Sequence, residues 1–178
     1  DVDMVSLTGS TKSGIAVAQA AATTIKRVTL ELGGKSPNVL LEDADIPMAV
    51  TKGVYNCFLN SGQTCIALSR MIVPAHKQKE IVEMAKAIVE SMVMGDAFTD
   101  GVYLGPMVDD AQRQSVREYI RAGIREGATL VTGGPETPEN LPKGFFVKPT
   151  LFADVKPDMI IAQEEIFGPV LCIIPYRT

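Results

Sequence analysis

The repeated alternation of short apolar runs with amphipathic segments is the strongest constraint on the fold of this chain. Apolar residues after Asp45 recur three and four positions apart, which is the spacing of one buried helix face. We predict strands at 5–7, 27–32, 38–41, 69–73, 129–132 and 170–174, and an extended segment at 145–151. We predict helices at 12–22, 45–60, 76–92 and 109–126, with Asp45 as the cap of the second and Asp109 or Asp110 as the cap of the last. This order predicts an α/β fold, with a mostly parallel sheet and flanking helices.

Composition excludes several classes of protein. The 178 residues are 46% apolar, which is ordinary for a globular protein with a substantial core. The net charge is −4 and no basic stripe is present, so nucleic acid is not an expected partner. Three cysteines without a CxxC pair argue against a disulfide framework or zinc ribbon, and they favour a reducing, cytoplasmic compartment. No apolar run approaches the roughly 20 residues of a membrane span, and no signal peptide is visible.

Cys65 is the first candidate for chemistry, because it follows Asn-Ser-Gly-Gln-Thr at the junction of a predicted helix and strand. A thiol at such a junction faces a cleft, where it can act as a nucleophilic thiolate. The alternative is that Cys65 is a small buried residue, as isolated cysteines usually are. Cys57 lies on an apolar helix face and Cys172 in an apolar strand, so we expect both in the core.

Other candidate positions each have a structural alternative. Gly9 and Ser10 lie between a strand and a helix, which suits either an anion site or, preferably, an ordinary turn and N-cap. Glu31 ends a strand beside two glycines, so its carboxylate faces either a cleft or solvent. His76 is the only histidine and is expected on the surface, which leaves Cys65 without a nearby histidine base in the sequence.

Four segments, taken together and in order, resemble the NAD(P)-dependent aldehyde dehydrogenase superfamily. Residues 31–37 (Glu-Leu-Gly-Gly-Lys-Ser-Pro) resemble its glutamate motif, and residues 62–65 (Gly-Gln-Thr-Cys) resemble its cysteine motif. Residues 164–169 (Glu-Glu-Ile-Phe-Gly-Pro) resemble a third motif, and residues 8–10 the cofactor turn. The resemblance covers nearly the whole chain and implies an aldehyde dehydrogenase-like catalytic domain.

The resemblance also implies roles for particular residues. Cys65 would attack the aldehyde carbon, hydride would pass to NAD or NADP, and Glu31 would activate the water that hydrolyses the thioester. The cofactor contacts implied by the resemblance are Gly9, Ser10, Leu32, Glu165 and Phe167.

Two parts of unequal size follow from the same resemblance. Residues 1–34 would be the end of a cofactor-binding domain, and residues 35–178 a catalytic domain truncated at its C-terminal end. We therefore expect a piece of a longer protein, homo-oligomeric when complete, and inactive as the isolated 178 residues. The alternatives are a relative that transfers the acyl group to coenzyme A, which the presence of Glu31 disfavours, and a non-catalytic structural fragment.

Overall fold

A computed structural model describes residues 2–177, and the chain divides into two compact units. The first unit is Asp1–Gly34 and the second is Lys35–Thr178. The functional roles assigned to these two parts remain predictions.

The first unit is a strand–helix–strand motif. Strand β1 (Met4–Gly9) leads into helix α1 (Thr11–Ala22), and strand β2 (Arg27–Leu32) returns parallel to β1. An added β-carbon at Gly14 of α1 would lie 2.8 Å from the side chain of Leu32, so helix and strand pack closely there. Parallel pairing places the carboxyl ends of both strands at one edge.

The second unit contains a five-stranded sheet. Its strands are β3 (Pro37–Val39), β4 (Arg70–Pro74), β5 (Thr129–Thr132), β6 (Thr150–Ala153) and β7 (Val170–Tyr176). They are ordered β3-β4-β7-β6-β5, and every neighbouring pair is parallel except β5 with β6. The predicted α/β fold with a mostly parallel sheet is therefore confirmed.

Four helices accompany this sheet: α2 (Ile46–Phe58), α3 (Gln78–Ser91), α4 (Asp110–Arg125) and the short α5 (Ile160–Gln163). Asp45 caps α2 by accepting a hydrogen bond from the Met48 N–H (3.1 Å), and Pro47 lies in the first turn. Asp109 caps α4 by accepting from the Gln112 N–H (2.8 Å). The first cap agrees with the sequence prediction, and the second is one of the two residues predicted for it, Asp109 and Asp110.

Two apolar clusters cover the two faces of the sheet. Helices α2 and α3 pack with Leu171 and Ile173 of β7, whereas α4 and α5 pack with Val170, Cys172 and Ile174 of the same strand. Side chains alternate between faces along a strand, so a central strand covered on both sides reads as a continuous apolar run. None of the helices within residues 2–177 is long and apolar enough to cross a membrane.

Two local expectations from the sequence were wrong. Helical spacing places Ile124 on the inward face of α4, yet it is 42% exposed, because α4 packs closely through Gly123, where an added β-carbon would lie 2.7 Å from Ile161. The three prolines of residues 133–144 predict an exposed loop, but two of them, Pro135 and Pro138, are buried. The extended segment predicted at 145–151 leads into strand β6 at Thr150.

Candidate active site

The segment carrying Cys65, residues 59–66, is here called the thiol loop. Helix α2 ends at Phe58, two residues earlier than predicted, and a 3₁₀ turn follows over Leu59–Gly62. Asn60 (φ 51°), Ser61 (φ 55°) and Gly62 (φ 73°) are successive left-handed residues. Such residues cannot continue a right-handed helix, so the chain changes direction and leaves the Cys65 side chain exposed.

Side-chain hydrogen bonds maintain this unusual backbone. The Ser61 hydroxyl donates to the Gly105 carbonyl (2.9 Å), and the Asn60 amide donates to the Gln63 carbonyl (3.1 Å). The Thr64 hydroxyl donates to a third carbonyl, that of Leu59 (3.1 Å). A left-handed residue other than glycine costs roughly 1–2 kcal/mol, so it persists only where its surroundings stabilise it.

Gln63 attaches the thiol loop to the segment 105–108. Its Oε1 accepts a hydrogen bond from the Val108 N–H (2.9 Å), while its Nε2 lies 3.4 Å from the Pro106 carbonyl oxygen. The same Nε2 donates to the Asn60 carbonyl (3.2 Å) within the loop. Both ends of one side-chain amide are therefore engaged.

Cys65 differs from the other two cysteines in its surroundings. The thiols of Cys57 and Cys172 are buried and donate to the carbonyls of Val170 (3.5 Å) and Ile161 (3.4 Å). Burial raises the pKa of both, that of Cys172 to about 11, because an apolar interior disfavours the thiolate. The exposed Cys65 has a main-chain N–H that makes no hydrogen bond to the part of the chain that the structure describes.

The acidic turn, residues 164–169, lies directly against the thiol loop. Phe167 is left-handed (φ 53°) and 38% exposed, and Glu165 is half-buried. Gln112 of α4 donates through Nε2 to the carbonyls of Ile166 (3.1 Å) and Phe167 (2.9 Å). The thiol loop and the acidic turn both border an open pocket of about 730 Å³, which falls in the size range of small-molecule sites.

Residues of both segments line that pocket. Asn60, Ser61 and Gln63 come from the thiol loop and Phe167 from the acidic turn, whereas Cys65 is not among the lining residues. The pocket is therefore bordered by the residues that hold the thiol loop, and not by Cys65 itself.

Four predicted site residues of the first unit meet at the carboxyl ends of β1 and β2. Gly9 pairs with Leu32, and the side chain of Glu31 is exposed. Ser10 is the N-cap of α1, and its hydroxyl accepts from the Ser13 N–H (3.1 Å). The capping alternative for Ser10 is thus correct, and the free N–H groups of the first helical turn remain able to face an anion.

The half-buried Leu32 packs its side chain against Gly14, so its main chain is the part that could contact a ligand. His76 lies on the surface as predicted, with Nε2 3.3 Å from the carboxylate of Glu42.

Three residues of interest were missed by sequence reasoning. Lys35 lies in the glutamate motif and Gln63 in the cysteine motif, so membership of a motif could have identified both residues. The Lys35 ammonium is buried without a hydrogen-bond partner among residues 2–177, and burial lowers its pKa. Gln112 had no signal in the sequence, because its partners Ile166 and Phe167 lie more than fifty residues away.

Known proteins that resemble this chain match it over nearly its whole length. The model of the aldehyde dehydrogenase family matches residues 1–178. The chain is 49% identical to a 3-succinoylsemialdehyde-pyridine dehydrogenase of a Pseudomonas species and 47% identical to a betaine aldehyde dehydrogenase of Agrobacterium fabrum. Each match covers 99% of this chain but only 37% and 36% of the relative.

Solved structures give the same result for the fold. The crystal structure of a mutant of aldehyde dehydrogenase C from Pseudomonas syringae, in complex with NAD+ and octanal, matches with a TM-score of 0.98 and 50% identity. The Mycobacterium tuberculosis aldehyde dehydrogenase bound to NAD+ matches with a TM-score of 0.96 and 45% identity. Both matches cover 99% of this chain and 36% of the solved chain. With its family motifs in order and its fold matched throughout, the chain belongs to the aldehyde dehydrogenase family.

Proposed function

We propose that the complete protein containing these residues oxidises an aldehyde to a carboxylic acid, with NAD+ or NADP+ as the hydride acceptor and Cys65 as the nucleophile. One observation carries the proposal: Cys65 is exposed on a strained loop beside the acidic turn, whereas the other two cysteines are buried. The name of the betaine aldehyde dehydrogenase and the solved structure that holds NAD+ and octanal support the same reaction class.

The first step assigned to Cys65 is attack on the aldehyde carbon. The thiolate forms a C–S bond, and the carbonyl oxygen becomes an oxyanion in the resulting thiohemiacetal. The main-chain N–H of Cys65 is available to donate to that oxygen, as oxyanion sites require. A nicotinamide cofactor, which Glu165 and Phe167 would help to hold, would supply the acceptor for the hydride on the former aldehyde carbon.

Each unit by itself contains residues that fit part of a dinucleotide. Gly9 and Ser10 lead into the N-terminus of the twelve-residue helix α1, where main-chain N–H groups favour a pyrophosphate. The half-buried carboxylate of Glu165 can accept hydrogen bonds from ribose hydroxyls, and the exposed ring of Phe167 can pack against the nicotinamide half. The main chain of Leu32 would complete the contacts from the first unit.

Glu31 is assigned to the hydrolytic step. Its exposed carboxylate takes a proton from water, and the resulting hydroxide attacks the thioester carbon. The C–S bond then breaks and releases the carboxylic acid, and the proton that Glu31 took from the water passes to the sulfur, which regenerates the Cys65 thiol and the Glu31 carboxylate.

We also assign a different function to each of the two units. Residues 1–34 would belong to the cofactor-binding domain and residues 35–178 to the catalytic domain of a homo-oligomer in the cytoplasm. The chain spans about a third of its relatives, so we expect the isolated 178 residues to lack activity, because the remaining cofactor contacts would be missing.

The test is an assay of the complete protein with a panel of aldehydes and each cofactor. We expect aldehyde-dependent formation of NADH or NADPH, with a free acid as product whether or not coenzyme A is added. Cys65→Ala should abolish turnover. Wild-type rates in Cys65→Ala, or product formed only as a coenzyme A thioester, would overturn the proposal.

A further inference from the structure

We infer that Gln63 and Gln112, here called the glutamine pair, are positioning residues that hold the thiol loop and the acidic turn in a fixed mutual arrangement. The inference rests on the proposed function, because it assigns the two segments to the nucleophile and the cofactor. It adds that a disturbance of either segment changes the behaviour of the other.

The first half of the connection runs through Gln63. Its carbonyl oxygen holds the Val108 N–H, and its NH₂ group faces the Pro106 and Asn60 carbonyls. A side chain needs a donor and an acceptor on one planar group to make these contacts together, and the amide of glutamine provides both. Alanine would lose every one of these bonds, and glutamate would lose the donors.

The second half begins at the next residue along the chain. Val108 is followed by Asp109, which caps α4 by accepting from the Gln112 N–H at 2.8 Å. The Gln112 side chain then donates to the Ile166 and Phe167 carbonyls. Hydrogen bonds, together with the peptide bond between Val108 and Asp109, therefore connect the thiol loop to the acidic turn.

Close backbone contact supplies the opposing restraint. An added β-carbon at Gly62 would lie 2.1 Å from the carbonyl oxygen of Gly168, so the two segments cannot move closer together. The glutamine pair prevents them from separating. Ser61 and Phe167 both have left-handed backbones, which such restraints must stabilise.

Positioning of this kind matters for a two-site reaction. Hydride transfer requires the carbon on Cys65 and the nicotinamide to be in near contact, and a misplacement of about 1 Å costs on the order of a hundredfold in rate. A partial loosening of one restraint is expected to cost less.

The experiment uses the complete protein. Each variant alters the contacts of one segment, and the measurement reports on the other segment. Gln112→Ala, which alters contacts of the acidic turn, should change the rate of Cys65 alkylation by iodoacetamide by about threefold or more. Gln63→Ala, which alters contacts of the thiol loop, should raise the KM for NAD+ by about tenfold. If each glutamine had a purely local structural role, the alkylation rate in Gln112→Ala and the KM in Gln63→Ala would keep their wild-type values.

Matched controls are available for both variants. Gln114→Ala removes an exposed glutamine of the same helix, which donates to Asp110, and Asn56→Ala removes an exposed amide of α2. Neither should change alkylation or KM. Gln112→Lys, which retains a donor for the two carbonyls, should show an alkylation rate close to that of the wild type.

The double variant decides whether the pair acts as one unit. Residues of a shared network are non-additive, so Gln63→Ala with Gln112→Ala should be no worse than the more damaged single variant. Additive losses, or absent cross-effects in variants that melt like wild type, would overturn the inference. Alkylation needs no turnover, so an inactive wild-type protein would refute the proposed function while still testing the glutamine pair.

Discussion

Gly62 and Gly168 are in backbone contact: a β-carbon on Gly62 would lie 2.1 Å from the Gly168 carbonyl oxygen and 2.9 Å from the nitrogen of Pro169. Gly62 also has a φ of 73°, which side-chain-bearing residues rarely adopt. The loop that carries Cys65 thus requires glycine for two separate reasons.

Gly62→Ala is expected to destabilise the chain by more than the roughly 1–2 kcal/mol of a left-handed alanine, because the clash with Gly168 adds to it. Equilibrium unfolding in urea measures the difference. Gly101→Ala is the matched control, since Gly101 has a φ of 83° and nothing within 4 Å of an added β-carbon. Equal losses in the two variants would show that the contact contributes nothing.

Cysteine alkylation should be confined to one site in the folded chain. Near neutral pH we expect iodoacetamide to modify Cys65, and to reach Cys57 and Cys172 only after denaturation. Burial both blocks access and raises the pKa of those two thiols, that of Cys172 to about 11, so little thiolate forms there. Peptide mapping by mass spectrometry gives the answer, and early modification of Cys172 would contradict it.

Lys35→Met is expected to stabilise the chain by about 1–3 kcal/mol, because it removes a buried ammonium that lacks a hydrogen-bond partner among the described residues. Burial lowers the pKa of Lys35 in the folded chain below the value of 10.5 expected when unfolded. Between these two pKa values the unfolded state binds more protons, so wild-type stability rises with pH.

The gain from Lys35→Met should therefore be largest below the folded pKa of Lys35 and shrink as the pH approaches 10.5. Urea unfolding at a series of pH values measures it, with the exposed Lys52→Met as control. A gain that grows with pH has the wrong sign for this explanation.

Glu31→Gln in the complete protein should impair thioester hydrolysis more than its formation. Loss of a general base typically costs on the order of 10²–10⁴-fold, so we expect a burst of NADH or NADPH followed by a slow steady state. Rapid-mixing absorbance measurements resolve the two phases. Glu83→Gln, at an exposed glutamate of α3, should behave as wild type, and an unchanged steady state in Glu31→Gln would remove its assigned role.

Local patterns in the sequence determined the elements of this fold and the candidate residues. Asp45 and the pair Asp109–Asp110 marked helix starts because an N-cap is a contact between neighbours in the chain, and Asp45 and Asp109 form the caps. Strand–helix alternation indicated the mostly parallel sheet, because parallel neighbours need crossover connections. The motifs around Glu31 and Cys65 identified the family, although their assigned chemistry remains a prediction.

Only the tertiary structure decided how these pieces meet. The helix before Cys65 stops at Phe58, and its left-handed continuation depends on distant partners such as Gly105. Gln112 gains its role from carbonyls that are adjacent in space and remote in sequence. Ile124 was assigned to the core from helical spacing alone, yet the close packing at Gly123 turns it outward. Periodicity and caps are properties of neighbouring residues, whereas these features arise from contacts that form only once the chain has folded.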